Sequence, residues 1–147
     1  MWMNRFYKLN DIRNIRPIRR YLSTMLYTRE HEWLQMLENN EAKIGITSYA
    51  QKALGDVVYV EIYSGKTVKQ KESIGAVESV KAASDIYSPA DGTIIEVNEK
   101  VVESPKLIND SPENEGWLCK LKVDPNFDSK MLMNEADYSK YCKGAKE

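Results

Sequence analysis

His31 stands between Glu30 and Glu32, residue types that can move protons or ligate a metal. It is the chain's single histidine, and no cysteine pair at ligand spacing accompanies it. A structural or cleft-shaping role is therefore expected, with Trp33 beside it reading as the start of a packed strand. Cys119 and Cys142 are too few for a disulfide framework and match no metal knuckle. Cys119 falls in the alternating run 117–123 and is expected to be buried; Cys142, near the end of the chain, is expected to be exposed or partly covered. Gly75, Gly92 and Gly116 have the wrong spacing for a phosphate loop, and no Lys-Ser/Thr follows them. The remaining reactive group is Lys81, in the run Glu78-Ser79-Val80-Lys81-Ala82-Ala83-Ser84-Asp85.

Short strands must position these residues. Runs 33–37 and 42–46 read as a hairpin around Asn39-Asn40. Residues 57–63 are rich in β-branched and aromatic side chains, as a core-packed strand requires. Further strands are expected at 73–78, 85–87, 93–97 and 117–123. One helix is expected between Ile46 and Gly55, with Ser48 and Gln51 as a capping box and Gly55 as its stop. A second, C-terminal helix is expected after Asn134, with Asp137 completing the cap and Tyr138, Tyr141 and Cys142 on its body. Phe127, Met131 and Leu132 read as packing residues of a preceding helical turn. Gly55-Asp56-Val57-Val58-Tyr59-Val60 is echoed 37 residues later by Gly92-Thr93-Ile94-Ile95-Glu96-Val97. Two such β units related by an approximate twofold would set the Lys81 segment at a protruding turn.

The chain of 147 residues suits one compact domain. Six basic residues and Asp11 make residues 1–26 +5, so the rest carries −6 toward a formal net charge of −1. That acidic body is unsuited to tracking phosphate backbones, so no nucleic-acid partner is expected, while protein partners with basic rims fit it. Phe6, Leu9, Ile12 and Ile15 recur at three-residue steps among arginines until Pro17 intervenes. Such a basic amphipathic segment suits a mitochondrial transit peptide over 1–26, ahead of a domain at 27–147. A plain basic tail is the alternative, and Met25 is a possible internal start. No long uncharged run provides a membrane span, so no membrane partner is expected.

From Tyr27 onward the chain resembles the H protein of the glycine cleavage system. The residues that carry the resemblance begin with Tyr27-Thr28-Arg29-Glu30-His31-Glu32-Trp33 and Ile44-Gly45-Ile46-Thr47-Ser48-Tyr49-Ala50-Gln51. Leu54-Gly55-Asp56-Val57-Val58-Tyr59-Val60-Glu61 and Gly75-Ala76-Val77-Glu78-Ser79-Val80-Lys81-Ala82-Ala83-Ser84-Asp85 follow in order. Leu107-Ile108-Asn109-Asp110-Ser111-Pro112, then Gly116-Trp117, complete the series. The loop Tyr63-Ser64-Gly65-Lys66 is about one residue shorter than usual for the family and lacks its proline. Lys71 stands where a turn glycine is common, so a different local turn is expected there.

The resemblance implies a mainly β fold, a barrel-sandwich hybrid of the lipoyl/biotinyl-carrier type with short flanking helices, one of them C-terminal. It implies a non-catalytic shuttle with lipoate covalently on Lys81, which the basic segment 1–26 would direct to the mitochondrial matrix. That arm would carry an aminomethyl group between a pyridoxal-phosphate glycine decarboxylase and a tetrahydrofolate-dependent aminomethyltransferase, then meet dihydrolipoyl dehydrogenase. Val80 would anchor the tip to the sheet, and Ala82 and Ala83 would leave room for an enzyme surface. An arm cleft is implied at Glu30, Glu32, Ile46, Ala53, Leu54 and Asp85, with Glu32 and Asp85 the partners of the cargo's ammonium. Glu78 would be read by the lipoyl-attaching enzymes. No metal site is expected. A biotinyl domain generally flanks its lysine with methionines, unlike Val80 and Ala82. A lipoyl domain of a 2-oxo-acid dehydrogenase would bring Ala/Pro-rich linkers that are not present here. A hydrolase built on His31 with Glu32 or Asp85 lacks a nucleophile arrangement. A role in relaying lipoate to other acceptors stays open beside glycine breakdown.

Overall fold

The computed structural model describes residues 24–145. Two antiparallel sheets face each other across one apolar core. The larger contains β1 (Met25–Tyr27), β2 (Glu32–Met36), β3 (Glu41–Ile46), β9 (Cys119–Val123), β8 (Gly92–Val97) and β5 (Thr67–Val68), in that order. The smaller contains β4 (Val57–Ile62), β6 (Ser73–Ser79) and β7 (Ala83–Tyr87). Among the described residues four helices flank them: α1 (Ser48–Leu54), α2 (Glu99–Glu103), α3 (Lys106–Asp110) and α4 (Glu135–Ala145). A 3-10 turn covers Ser129–Met131. This is the expected mainly β barrel-sandwich with a C-terminal helix.

Period-two alternation accounts for the sheets. Leu34, Met36, Ile44, Ile74, Val77, Ile94 and Leu121 point inward and are almost fully buried, and Val101 and Ile108 plug the core from α2 and α3. The β2–β3 turn follows from Asn39 and Asn40, whose φ values of 60° and 58° suit a two-residue hairpin loop. Trp33 pairs with Gly45 across that hairpin. Its ring fills the space where a Cβ on residue 45 would lie 2.6 Å away, so only glycine fits opposite it. The indole N–H donates to the Pro112 carbonyl at 3.0 Å.

Several local expectations change. The cap of α1 is Thr47, whose Oγ1 accepts from the Ala50 amide at 3.2 Å. The Ser48 amide is taken instead by Glu113 Oε2 at 2.8 Å, so Ser48 opens the helix body. Gly55 does end α1, in a backbone region with φ 81° and ψ −152° that a side chain would strain. Asn134 caps the start of α4, accepting from the Asp137 amide at 2.8 Å. Phe127 and Leu132 pack on the core, but Met131 is 47% exposed and does no packing of that kind. Lys71 sits in the left-handed region that glycine enters freely, φ 75°, and its N–H donates to Ser88 O at 2.8 Å. β1 takes in Met25 and Leu26, just ahead of the boundary expected at 26/27; the transit segment otherwise lies outside the described residues.

Candidate functional site

Lys81 occupies the turn between β6 and β7, the protruding position expected for it. The turn closes on Ser79, whose amide donates to Ala82 O at 2.7 Å. The Ser79 hydroxyl accepts from the amides of Lys81 and Ala82 at 3.3 and 3.0 Å, which fixes the backbone on both sides of the lysine. Val80 does not anchor the tip through its side chain, which is 70% exposed. Its amide does so, donating to Asp56 O at 3.0 Å. Residues 55–57 form a shelf that Asn109 of α3 holds from below. The Asn109 amide donates to Gly55 O at 2.8 Å, and its carbonyl oxygen accepts from Val57 N at 2.9 Å.

The Lys81 side chain is exposed, and its stem crosses Gly55. A Cβ on residue 55 would lie 3.3 Å from Lys81 Cε. The missing side chain is therefore a cradle for the lysine stem. Gly55, Ser79 and Asn109 all act at the tip without being singled out by sequence for that role. Asn109 sat within a recognisable run, yet nothing in its spacing announced a bridge between two loop carbonyl and amide groups.

On the solvent face of the small sheet, Tyr59, Glu78 and Ala83 lie side by side in register, with Glu61, Ala76 and Asp85 one pair further along. Glu78, Asp85, Tyr59 and Val58 are exposed there, so acidic and apolar groups surround the lysine turn.

The six residues expected around an arm are spread over several places. Glu30 and Glu32 line a cavity of about 40 Å³ with Thr28, Tyr87 and Leu132. Glu32 is 2% exposed; its carboxylate accepts from the Thr28 hydroxyl and from Tyr87 N at 3.3 Å. Burial outweighs those bonds and pushes its carboxyl up to about 7. Ile46 and Leu54 belong to the core, and Asp85 is on the exposed face of β7. Ala53 lines a separate cavity of about 600 Å³ between α1 and α4.

His31 has the structural placement expected of it. Its Nδ1 is 2.7 Å from the Tyr138 hydroxyl, which is also 2.7 Å from Thr47 Oγ1. Its ring stacks on Tyr49 at 4.3 Å, and burial lowers its pKa. Tyr27 and Tyr138 stack with centroids 4.5 Å apart, and desolvation raises the Tyr138 hydroxyl above its usual range. Cys119 is buried, as expected, and burial pushes its thiol up to about 12; Cys142 is half-buried, and both are free. No cluster of metal-ligating side chains occurs among the described residues.

The glycine cleavage H-protein family model matches residues 25–145. The chain belongs to the glycine cleavage H-protein family. It is 48% identical over 122 residues to glycine cleavage system H protein 2, mitochondrial, of Arabidopsis thaliana, covering 82% of this chain and 78% of that one. Against the glycine cleavage system H protein of Thermotoga maritima the identity is 46% over 117 residues, covering 79% and 94%. The crystal structure of a glycine cleavage system H protein from Mycobacterium marinum superposes with a TM-score of 0.73 at 35% identity, covering 80% of this chain and 95% of that one. Family members carry the fold found here, and they are components of the glycine cleavage system.

Proposed function

We propose that this chain is the lipoyl carrier of a glycine cleavage system, that lipoate is joined in amide linkage to Lys81, and that the chain performs no catalysis of its own. The observation that carries the assignment is the placement of Lys81: an exposed amine on a turn whose backbone is bonded on both sides, with its stem laid over a position that lacks a side chain. A ligase gains access to such an amine, and the rigid turn then limits the directions from which a long arm departs. When attached, lipoate supplies a dithiol–disulfide pair that holds the cargo on one sulfur and passes electrons on.

The protein's own residues position and screen. Ser79, Asp56 and Asn109 fix the base of the arm. Glu78, beside Tyr59 and Ala83, offers the attaching enzyme a carboxylate three residues before the lysine. Exposed Glu61 and Asp85 extend that acidic field and speed encounters with basic-rimmed partners more than they deepen affinity. Glu32 and Asp85 are candidates for the ammonium of the cargo. The partners proposed are glycine decarboxylase, aminomethyltransferase, dihydrolipoyl dehydrogenase and the lipoyl-attaching enzymes. The site proposed is the mitochondrial matrix, on the basic amphipathic pattern of residues 1–26 and the likeness to mitochondrial relatives.

Intact and peptide mass measurement of protein from its native source tests this. A lipoamide increment on the peptide containing Lys81 is expected, absent from Lys81→Arg, and the same run reports where the mature chain starts. Unmodified Lys81 in protein from metabolically active cells would sink the assignment.

A further inference from the structure

The terminal helix is fastened mainly at one point. Among its described side chains at 135–144 only Tyr138 is buried, and none belongs to the main apolar core. Tyr141 and Cys142 are half-buried, and the Tyr141 hydroxyl donates to Arg29 O at 3.0 Å. The backbone pairing of Tyr27 with Met133 ends just before α4, which leaves Asn134 as a hinge between helix and sheet.

The Tyr138 hydroxyl is the middle member of a chain of three groups, 2.7 Å from Thr47 Oγ1 and 2.7 Å from His31 Nδ1. Thr47 is 1% exposed, and its oxygen also accepts from the Ala50 amide. Two hydroxyl protons serve the two contacts. Thr47 donates to Tyr138 and Tyr138 donates to His31, which requires a neutral imidazole with Nδ1 bare and its proton on Nε2. An imidazolium carries a proton on Nδ1 as well. Three protons then compete for two contacts, and the surplus falls on a hydroxyl sealed from water. His31 is tied in place, since its carbonyl accepts from Thr47 N at 3.0 Å and its backbone is left-handed at φ 70°.

We propose that this chain is an acid-released latch: when His31 is protonated, α4 leaves its seat on β1 and α1 while the two sheets stay folded. The groups around the ring favour a neutral closed form. Tyr49 stacks on it from α1 at 4.3 Å, and Tyr138 and Tyr141 meet it from α4 at 5.7 Å each. Glu113 and Cys142 act on Tyr138 rather than on the ring. On its own turn Arg29 is exposed, and Glu30 is the charge that favours the imidazolium. Glu30 is exposed too, and burial outweighs it, so the closed ring titrates below its ordinary value of 6.5. Glu32 keeps its own proton until about pH 7 and is uncharged where the latch acts. With the ring in water the open form binds the proton more readily, so closure weakens as pH falls below about 6.5. The latch depends on the fold and not on what Lys81 carries.

Hydrogen–deuterium exchange of the full chain at pH 7.5 and 5.5, corrected for the intrinsic chemical rate, tests it. Protection of amides 139–144 is expected to fall roughly tenfold at the lower pH, with no such fall in β2, β3 and β9. His31→Gln, whose side-chain carbonyl accepts the Tyr138 proton and does not titrate, is expected to hold the same protection at both values. Tyr138→Phe keeps the stack and removes the shared hydroxyl, so it should lower protection at both values with a smaller dependence on pH. Nitrogen spectra of the His31 ring at pH 7.5 should show Nδ1 bare. Helix protection that does not fall in the wild type overturns the latch, as does a fall of equal size in His31→Gln or, should that variant not fold, in Tyr138→Phe. So does a matching loss in the sheets, or a proton on Nδ1 at pH 7.5.

Discussion

The lysine turn and the aromatic seam under α4 are held by different forces. At the turn, backbone amides of residues 80–82 donate to the Asp56 carbonyl and the Ser79 hydroxyl, and the side chains of Val80, Lys81, Ala82 and Ala83 are exposed. At the seam, Tyr27, Trp33 and Tyr138 are buried against one another, and Met25, Met133 and Tyr141 pack around them. Directional bonds define the shape of a small protruding element without the apolar area that would make it a stability centre. The seam provides that area and ties the last helix to β1, where Tyr27 and Met133 exchange backbone hydrogen bonds at 2.8 Å. Removal of a group should therefore affect folding at the seam and carrier chemistry at the turn.

Tyr138→Ala gives the largest stability effect. It removes a stacked ring and the hydroxyl shared by His31 and Thr47, and should cost about 3 kcal/mol in denaturant unfolding, with Lys81 still accepting lipoate at temperatures where the variant is folded. A loss of acceptor function in the folded variant would join the two regions that the comparison separates.

Glu32 lies between these extremes, as a buried carboxyl without a buried cation to match. Its folded-state pKa of about 7 exceeds its ordinary value, so the folded protein holds a proton that the unfolded chain releases. The resulting stabilisation is complete below the ordinary carboxylate pKa and is lost as pH rises toward 7. Glu32→Gln should flatten that part of the stability–pH curve by up to about 3 kcal/mol. His31, with its lowered pKa, tilts the curve the other way, losing stability as pH falls through its ordinary value. Urea titrations of wild type, Glu32→Gln and His31→Gln across pH 4.5–7.5 separate the two contributions, and parallel curves for wild type and Glu32→Gln would count against a perturbed Glu32.

Ser79→Ala should cost about 1 kcal/mol in stability while lowering the rate at which purified ligase modifies Lys81, since the turn loses the acceptor that fixes both flanking amides. An unchanged rate would mean that the turn's shape is enforced elsewhere. Lys71→Gly has the smallest effect and the opposite sign: relief of a left-handed lysine should raise stability by about 0.5 kcal/mol after glycine's entropy is counted.

Strong local signals were legible in the sequence. Alternation and β-branched content marked seven of the nine strands among the described residues to within a few residues, and Gly55 and Asn134 marked helix ends. The two missed strands, Met25–Tyr27 and Thr67–Val68, are too short to show a period and exist because a neighbouring strand offers free ladder groups. Helices α2 and α3 have five residues each, too few for an apolar stripe; Asn98 capping Lys100 was the available clue. At the site, Lys81 was placed by the order of its neighbours. What escaped is three-dimensional: a missing side chain at Gly55 under a lysine stem, Asn109 reaching a loop 52 to 54 residues away, and a tyrosine that Thr47 and His31 share. The cap of α1 shifted from Ser48 to Thr47 because Glu113, distant in sequence, claimed the next amide.

The two cysteines, the only ones in the chain, differ in a way that has a practical use. Cys119 is sealed in β9 with its thiol pushed up to about 12, so almost no thiolate exists at neutral pH and no reagent reaches it. Cys142 is half-buried on the wall of the α1–α4 cavity. A maleimide dye or nitroxide should therefore label the native, unmodified-lysine form at one place without mutagenesis, and that label would report from inside the cavity itself.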